Sequence, residues 1–326
     1  MIAVEASGPT VADVGERALI ERIRLRIPTA PPFVVIGIGD DAAVVEPARN
    51  LLEVLTTDCQ VEGVHFDRTF VGAADIGHKA LAVNLSDLAA MGAAPRAALL
   101  SLVLPPALPV AGMDELLDGL TALAARSRIS IIGGNIARSP GPLIIDVTVT
   151  GSVHKRRILT RGGGRSGDDL YVTGTLGGAA AGLRMLRRDG KSRGVAVDRY
   201  LRPEPRTRFG MMLGRNGAAH ACIDLSDGLA DGVRQIGEAS GLGAIVDIDA
   251  LPLEDGATLA DALGGGEDYE LLFAVSPRMR SRLKNARRLA GNPAVTRIGR
   301  LTTDRAMVVN RNGKSEDLPS GFEHFA

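Results

Sequence analysis

Two acidic clusters follow one another early in the chain. Gly39-Asp40-Asp41 closes one apolar run, residues 33–38, and Thr56-Thr57-Asp58 closes a second, residues 51–55. If both runs are strands, short oxygen-bearing side chains leave a sheet together at strand ends. Two carboxylates 4 Å apart repel by about 4 kcal/mol at an effective dielectric near 20, so such crowding calls for a cation. Oxygen-only donors suit magnesium carrying phosphate. The plain alternative is that Gly-Asp-Asp makes a turn. Asn84 and Asp87, three apart in a helical pattern, share a face otherwise set among Leu and Ala, and a polar pair there needs partners. Asp224-Leu225-Ser226-Asp227-Gly228 is a further oxygen-rich junction between an apolar run and a helical one. Helix capping accounts for one of those residues but not for all three.

Six aspartates at element ends or on one helix face fit phosphoryl transfer through magnesium, where positioning and charge neutralisation supply most of the catalysis. The glycine runs 162–164 and 264–266 fit either phosphate-wrapping loops or linkers. No GxxxxGK[ST] occurs and the protein-kinase signature set is missing, which disfavours both of those nucleotide-binding classes. His65, just past the second acidic cluster, is balanced between a substrate contact and a structural role.

The elements that must position these groups alternate between the two periods. Residues 11–27 and 73–91 read as helices, 95–104 as a strand and 113–126 as a helix with Leu116, Leu117, Leu120 and Leu123 on one side. A short buried strand over 129–132 ends in Gly133-Gly134, and 143–149 alternates like another. The shift in composition at Arg161-Gly162-Gly163-Gly164-Arg165 marks a hinge. Beyond it, 169–174, 219–225 and 271–275 read as strands, and 178–188, 207–213 and 229–239 as helices. The class expected is α/β or α+β in two domains, which 326 residues can fill.

Lys plus Arg equals Asp plus Glu at 38 each, so no global field draws nucleic acid or an anionic membrane. Tryptophan is absent, which argues against stacking platforms for single strands. The N-terminus lacks a basic start and an apolar core, and the most apolar region, 97–110, is interrupted by three prolines, so neither a signal peptide nor a membrane span is expected. Cys59 and Cys222 stand far apart, fitting a reducing cytoplasm; beside Asp58, Cys59 reads as structural.

GIGDDAAVV, TTDCQVEGVHF, HKALAVNLSDLAAMGAAP, YVTGTLGGAAAGL, CIDLSDGL and GGEDYELLF resemble, in order and over nearly the whole chain, the thiamine-monophosphate kinase family. That family belongs with aminoimidazole ribonucleotide synthetase, selenophosphate synthetase and a hydrogenase maturation protein. The resemblance implies a two-domain synthetase-like fold: an N-terminal domain, 1–150, forming an intersubunit β-barrel in a homodimer, and a C-terminal α/β domain, 151–326, with ATP in the cleft. It implies transfer of the γ-phosphoryl group of ATP to thiamine phosphate, assisted by several Mg2+ ions and needing no general base. By matched position, Asp41, Thr56, Thr57, Asp58, Asp87, Asp224 and Asp227 would hold magnesium, with Asp40 in support. Gly134, Arg161 and Ser226 would meet ATP, and His65, Glu267 and Phe322 would meet thiamine phosphate. One position departs. The family reads Gly-Gly-Asp-Thr-Thr where this chain has Gly133-Gly134-Asn135-Ile136-Ala137, so Asn135 would offer a carbonyl oxygen to metal and ATP with one negative charge lost. A sister enzyme with another substrate, or an inactive nucleotide-binding homologue, are the competing expectations. The second would have lost several acidic ligands, whereas one has changed.

Overall fold

The helical pattern over 11–27 is realised as two helices, α1 (Val11–Val14) and α2 (Glu16–Arg26), broken at Gly15, whose φ of 80° leaves the helical region. The computed structural model describes residues 8–319 and Gly321. It divides into two compact units, one of residues 1–49, 55–84 and 95–151, the other of 50–54, 85–94 and 152–326.

In the first unit, β1 (Val34–Ile36) and β2 (Val44–Val45) form a small antiparallel pair. Then come β3 (Leu52–Val61), α3 (Ala73–Ala90), β4 (Ala94–Leu104), α4 (Val110–Ser127), β5 (Ser130–Arg138) and β6 (Ile144–Val153); the start of β3 up to Val54 and the part of α3 from Leu85 onward are counted with the second unit. The four longer strands make one sheet in the order β3-β6-β4-β5. β4 and β5 run parallel, so the chain between them must cross over, and α4 is that crossover. Leu116, Leu117, Leu120 and Leu123 of α4 are buried as their spacing predicts. Along β6 the alternation is strict: Ile145, Val147, Val149 and Val153 are buried, while Ile144, Asp146, Thr148 and Thr150 on the other face are half-buried.

Two strands run further than the apolar runs suggest. β3 continues to Val61, so Thr56, Thr57 and Asp58 lie inside the strand rather than at its end. Thr-Thr-Asp-Cys-Gln-Val keeps a period of two and β-branched residues, and pairing with β6 extends the ladder through it. β5 likewise continues through Gly133-Gly134-Asn135 to Arg138, paired residue by residue with β4. Glycine is obligatory there because a Cβ on Gly134 would lie 1.9 Å from the Leu100 carbonyl oxygen.

The second unit holds β7 (Asp169–Thr173), α5 (Gly178–Arg188), α6 (Val195–Leu201), α7 (Thr207–Asn216), β8 (Ala221–Asp224) and α8 (Leu229–Ser240). They are followed by β9 (Gly243–Asp247), α9 (Leu259–Gly264), β10 (Leu271–Val275), α10 (Arg280–Leu289), β11 (Val295–Thr302), β12 (Met307–Arg311) and β13 (Lys314–Asp317). Its sheet has the order β13-β12-β9-β11-β7-β10-β8, antiparallel except between β12 and β9. β10 reads Leu-Leu-Phe-Ala-Val without alternation because both its faces are covered. Leu272 and Ala274 join one core with Ile223, Val233 and Ile236; Leu271, Phe273 and Val275 join another with Phe209, Leu213 and Leu283. Mixed strand and helix thus fill both units, as the α/β or α+β pattern predicts.

Candidate functional site

In the first unit, Gly39, Asp40, Asp41, Gly134, Asn135 and Asp146 line one cavity of about 920 Å3. The chain turns at Gly39, and Asp40 Oδ1 accepts the Asp41 N–H at 2.9 Å. Asp146 escaped the sequence reading. Its signal was available in the alternation of β6, where Asp146, Thr148 and Thr150 share the polar face. Thr57 on β3 joins this group by donating to Asp146 Oδ1 at 3.1 Å, with Thr148 Oγ1 at 3.0 Å. Thr56 and Asp58, each one residue away on an extended strand, point to the opposite face from Thr57. The three therefore do not act side by side, contrary to a strand-end cluster. Cys59 bears no reactive thiolate, since partial burial and then the carboxylates of Asp146 and Asp58 push its thiol up.

His65 is oriented by its own loop. The Val61 N–H donates to Nδ1 at 3.1 Å, so a neutral ring carries its proton on Nε2. The His65 carbonyl accepts from the ammonium of Lys79, a buried residue of α3, at 3.2 Å. Further along α3, Asn84 is fully buried. Its amide donates to the Ala80 carbonyl at 3.0 Å, and its Oδ1 has no hydrogen-bond partner among the described residues.

In the second unit, β8 delivers Asp224, which accepts the Ser86 hydroxyl at 2.8 Å and is buried. Asp87, the next residue along α3, is half-buried. Ser226 donates to Asp227 Oδ2 at 3.1 Å. Helix capping does not explain this turn: the N-cap of α8 is Gly228, and no side chain caps it. The turn instead interlocks with the loop 264–270, whose Glu267 and Tyr269 N–H groups donate to the carbonyls of Ser226 and Leu225 at 2.6 and 2.9 Å. Asp224, Ser226, Asp227 and Glu267 are thereby brought together. Arg161 is exposed, and its guanidinium hydrogen-bonds the Gln235 side chain on α8. Phe322 lies outside the described residues; Gly321, just before it, packs against Asp231 and the Asp227 carbonyl.

Among the described residues, no three His, Cys, Asp or Glu side chains converge closely enough to hold a metal ion by themselves. The donors present are carboxylates, hydroxyls and an amide oxygen, in pairs. Magnesium fits that set, because it keeps several waters and is commonly bound by one or two carboxylates together with substrate phosphates.

The fold and its acidic loops define a class. The family profile described as AIR synthase related protein, N-terminal domain, matches residues 39–153, and its C-terminal counterpart matches residues 165–311. Within that class, the thiamine-monophosphate kinase of Escherichia coli K12 is 39% identical over 327 residues, covering 96% of this chain and 98% of its own. The crystal structure of thiamine-monophosphate kinase from Stenotrophomonas maltophilia K279a superposes with a TM-score of 0.80 at 38% identity, covering 91% of this chain and 96% of that one. A complex of AaThiL with AMPPCP and TMP gives 0.75 at 31%, covering 98% and 100%. The chain belongs to the thiamine-monophosphate kinase family.

Proposed function

We propose that this protein transfers the γ-phosphoryl group of ATP to the phosphate of thiamine phosphate, giving thiamine diphosphate and ADP. The observation that carries the proposal is the 39% identity to an enzyme of that name across 96% of the chain. The interlocked loops 224–228 and 264–270 add support, since they place oxygen donors beside an acidic side chain within one hydrogen-bonded block.

The attacking atom is a phosphate oxygen that is already anionic, so no residue has to remove a proton from it. What the chain must do is bind, orient and offset charge. Magnesium would be held by Asp41, Thr56, Thr57, Asp58 and Asn135 in the first unit and by Asp87, Asp224 and Asp227 in the second. When bound, it would screen the two polyanions from each other and neutralise charge developing on the transferred group. Gly134, Asn135, Arg161 and Ser226 would meet ATP. Arg161 is exposed and carries the planar fork that suits phosphate. His65, Glu267 and Phe322 would meet thiamine phosphate, where an acidic side chain complements the permanently cationic thiazolium ring.

A homodimer completes the proposal. The sheet of the first unit leaves Leu55 and Leu99 exposed, at 68% and 40%, and the neighbouring pair β1–β2 adds Val35, Val44 and Val45. These exposed apolar side chains, set among Thr57, Asp146 and Thr148 on the same face of the sheet, mark an interaction surface of mixed character. Its occupant in this proposal is the same face of a second copy, closing the intersubunit barrel. Among the described residues no helix is long and apolar enough to cross a membrane. A cytoplasmic location fits thiamine diphosphate synthesis.

The test is a chromatographic assay of the purified protein with ATP, excess magnesium and thiamine phosphate. Thiamine diphosphate forming in proportion to enzyme is the expected result. ADP without thiamine diphosphate would point to another acceptor, and ATP binding without either product would point to an inactive homologue.

A further inference from the structure

The loop 264–270 holds a backbone that its residues would not choose locally. Gly266, Glu267 and Tyr269 all have positive φ, at 69°, 60° and 49°. Left-handed backbone at a non-glycine residue costs on the order of 1–3 kcal/mol and persists where surrounding structure over-determines it. One set of restraints is the pair of bonds from the Glu267 and Tyr269 amides to the turn 224–228. There Gly266 approaches so closely that a Cβ would stand 2.7 Å from the Ser226 carbonyl oxygen.

The second restraint comes from the residue between the two strained ones. Asp268 is 7% exposed and turns away from solvent. Its Oδ2 accepts the Gly177 N–H at 2.6 Å and its Oδ1 the Ala179 N–H at 3.2 Å, both at the N-terminus of α5. Those amides have no partner within their own helix, and a carboxylate meets the positive end of the helix dipole there. Both oxygens are therefore committed to α5, about ninety positions away in sequence, and the loop is pinned from behind.

We propose that Asp268 is a positioning residue for the acceptor site: by tying the loop to the N-terminus of α5, it holds Glu267 in its left-handed conformation and so directs the Glu267 carboxylate to thiamine phosphate. This rests on the assignment of Glu267 under the proposed function. Asp268 itself touches no substrate. The turn carrying Ser226 and Asp227 and the loop carrying Glu267 then form one block, with α5 as its anchor.

The experiment compares wild type with Asp268→Asn, which keeps the size but sets an amide NH2 against one of the helix N–H groups. The KM for thiamine phosphate should rise at least about tenfold, while the KM for ATP stays within about twofold. In the resting protein, hydrogen exchange at the Glu267 and Tyr269 amides should also quicken by about tenfold or more. A residue that only caps α5 would lower the melting midpoint and move both KM values together, or neither, and either result would overturn the proposal. If Asp268→Asn does not fold, Asp268→Ser retains a capping oxygen and is read by the same criteria. Wild-type turnover in the same assay tests the kinase assignment separately. The exchange measurement needs no substrate, so it still decides whether Asp268 holds the loop if that assignment fails; unchanged exchange would refute the restraint.

Discussion

Glu270, the residue just before β10 at the end of the same motif, is 1% exposed. It accepts from Arg199 Nη1 at 2.9 Å and Arg206 Nε at 2.6 Å, and also binds Arg206 Nη2 and the Thr173 hydroxyl. Burial alone would lower the Arg206 pKa, but the hydrogen bonds and charge of Glu270 raise it instead. Glu270→Ala would leave two largely buried guanidinium groups without this partner. Breaking a buried ion cluster from one side costs about 3–5 kcal/mol. Arg199 retains Glu254 at 3.6 Å, which places the expectation at the lower end, about 3 kcal/mol. Glu270→Gln keeps the shape and one acceptor but not the charge, and should cost about 1.5 kcal/mol. For a unit of this size these losses correspond to roughly 6–12 °C and 3–6 °C in melting temperature. Urea unfolding and calorimetry on the three proteins would measure the ladder. The differences should survive added salt, because buried pairs are screened far less than surface ones. An alanine variant within about 1 kcal/mol of wild type would refute the reasoning, as would a glutamine variant less stable than the alanine one.

Asp58→Asn should leave the fold intact and reduce turnover at least about 100-fold, the scale of losing one charge-stabilising group; near-normal kcat would remove Asp58 from the site. Asn135→Asp should restore a carboxylate to the cavity of the first unit and lower the magnesium concentration needed for half-maximal rate, and superimposable titrations would count against a remodelled metal site. Leu55→Asp should convert a homodimer to monomer in sedimentation velocity, with no change if another surface makes the dimer. Burial raises the Asp268 carboxyl to about 7 from its ordinary 3.8, against the pull of the two helix N–H groups. The folded state therefore favours the protonated form, so this stabilisation is fully present below pH 3.8 and is lost as pH rises through 7. Relative to Asp268→Asn, wild type should lose about 2–3 kcal/mol between pH 5 and pH 8 in urea titrations. A constant difference between the two proteins would show that Asp268 does not titrate in this range.

The motifs proposed to carry the chemistry are legible in the sequence because they are short runs whose meaning is local. Asp-Leu-Ser-Asp-Gly at the end of an apolar run gives a strand leading into a helix, and β8 and α8 follow from it. The leucine spacing of α4 and the unbroken apolar run of β10 likewise specify their elements, since periodicity records which faces are to be buried. Where a strand stops is a different matter. β3 and β5 carry on through Thr56-Thr57-Asp58 and Gly133-Gly134-Asn135 because neighbouring strands continue to offer hydrogen-bond partners, and those neighbours come from distant parts of the chain. Pairing thereby placed Thr57 and Asp58 on opposite faces and brought Asp146 to Thr57. The Gly-Gly-Glu-Asp-Tyr-Glu run shows the same division. Its residue types announce a polar loop, yet nothing local tells Asp268 and Glu270 to turn inward while Glu267 stays only half-buried. That choice belongs to α5, Arg199 and Arg206, whose N–H groups give the two buried carboxylates the partners without which burial would be too costly.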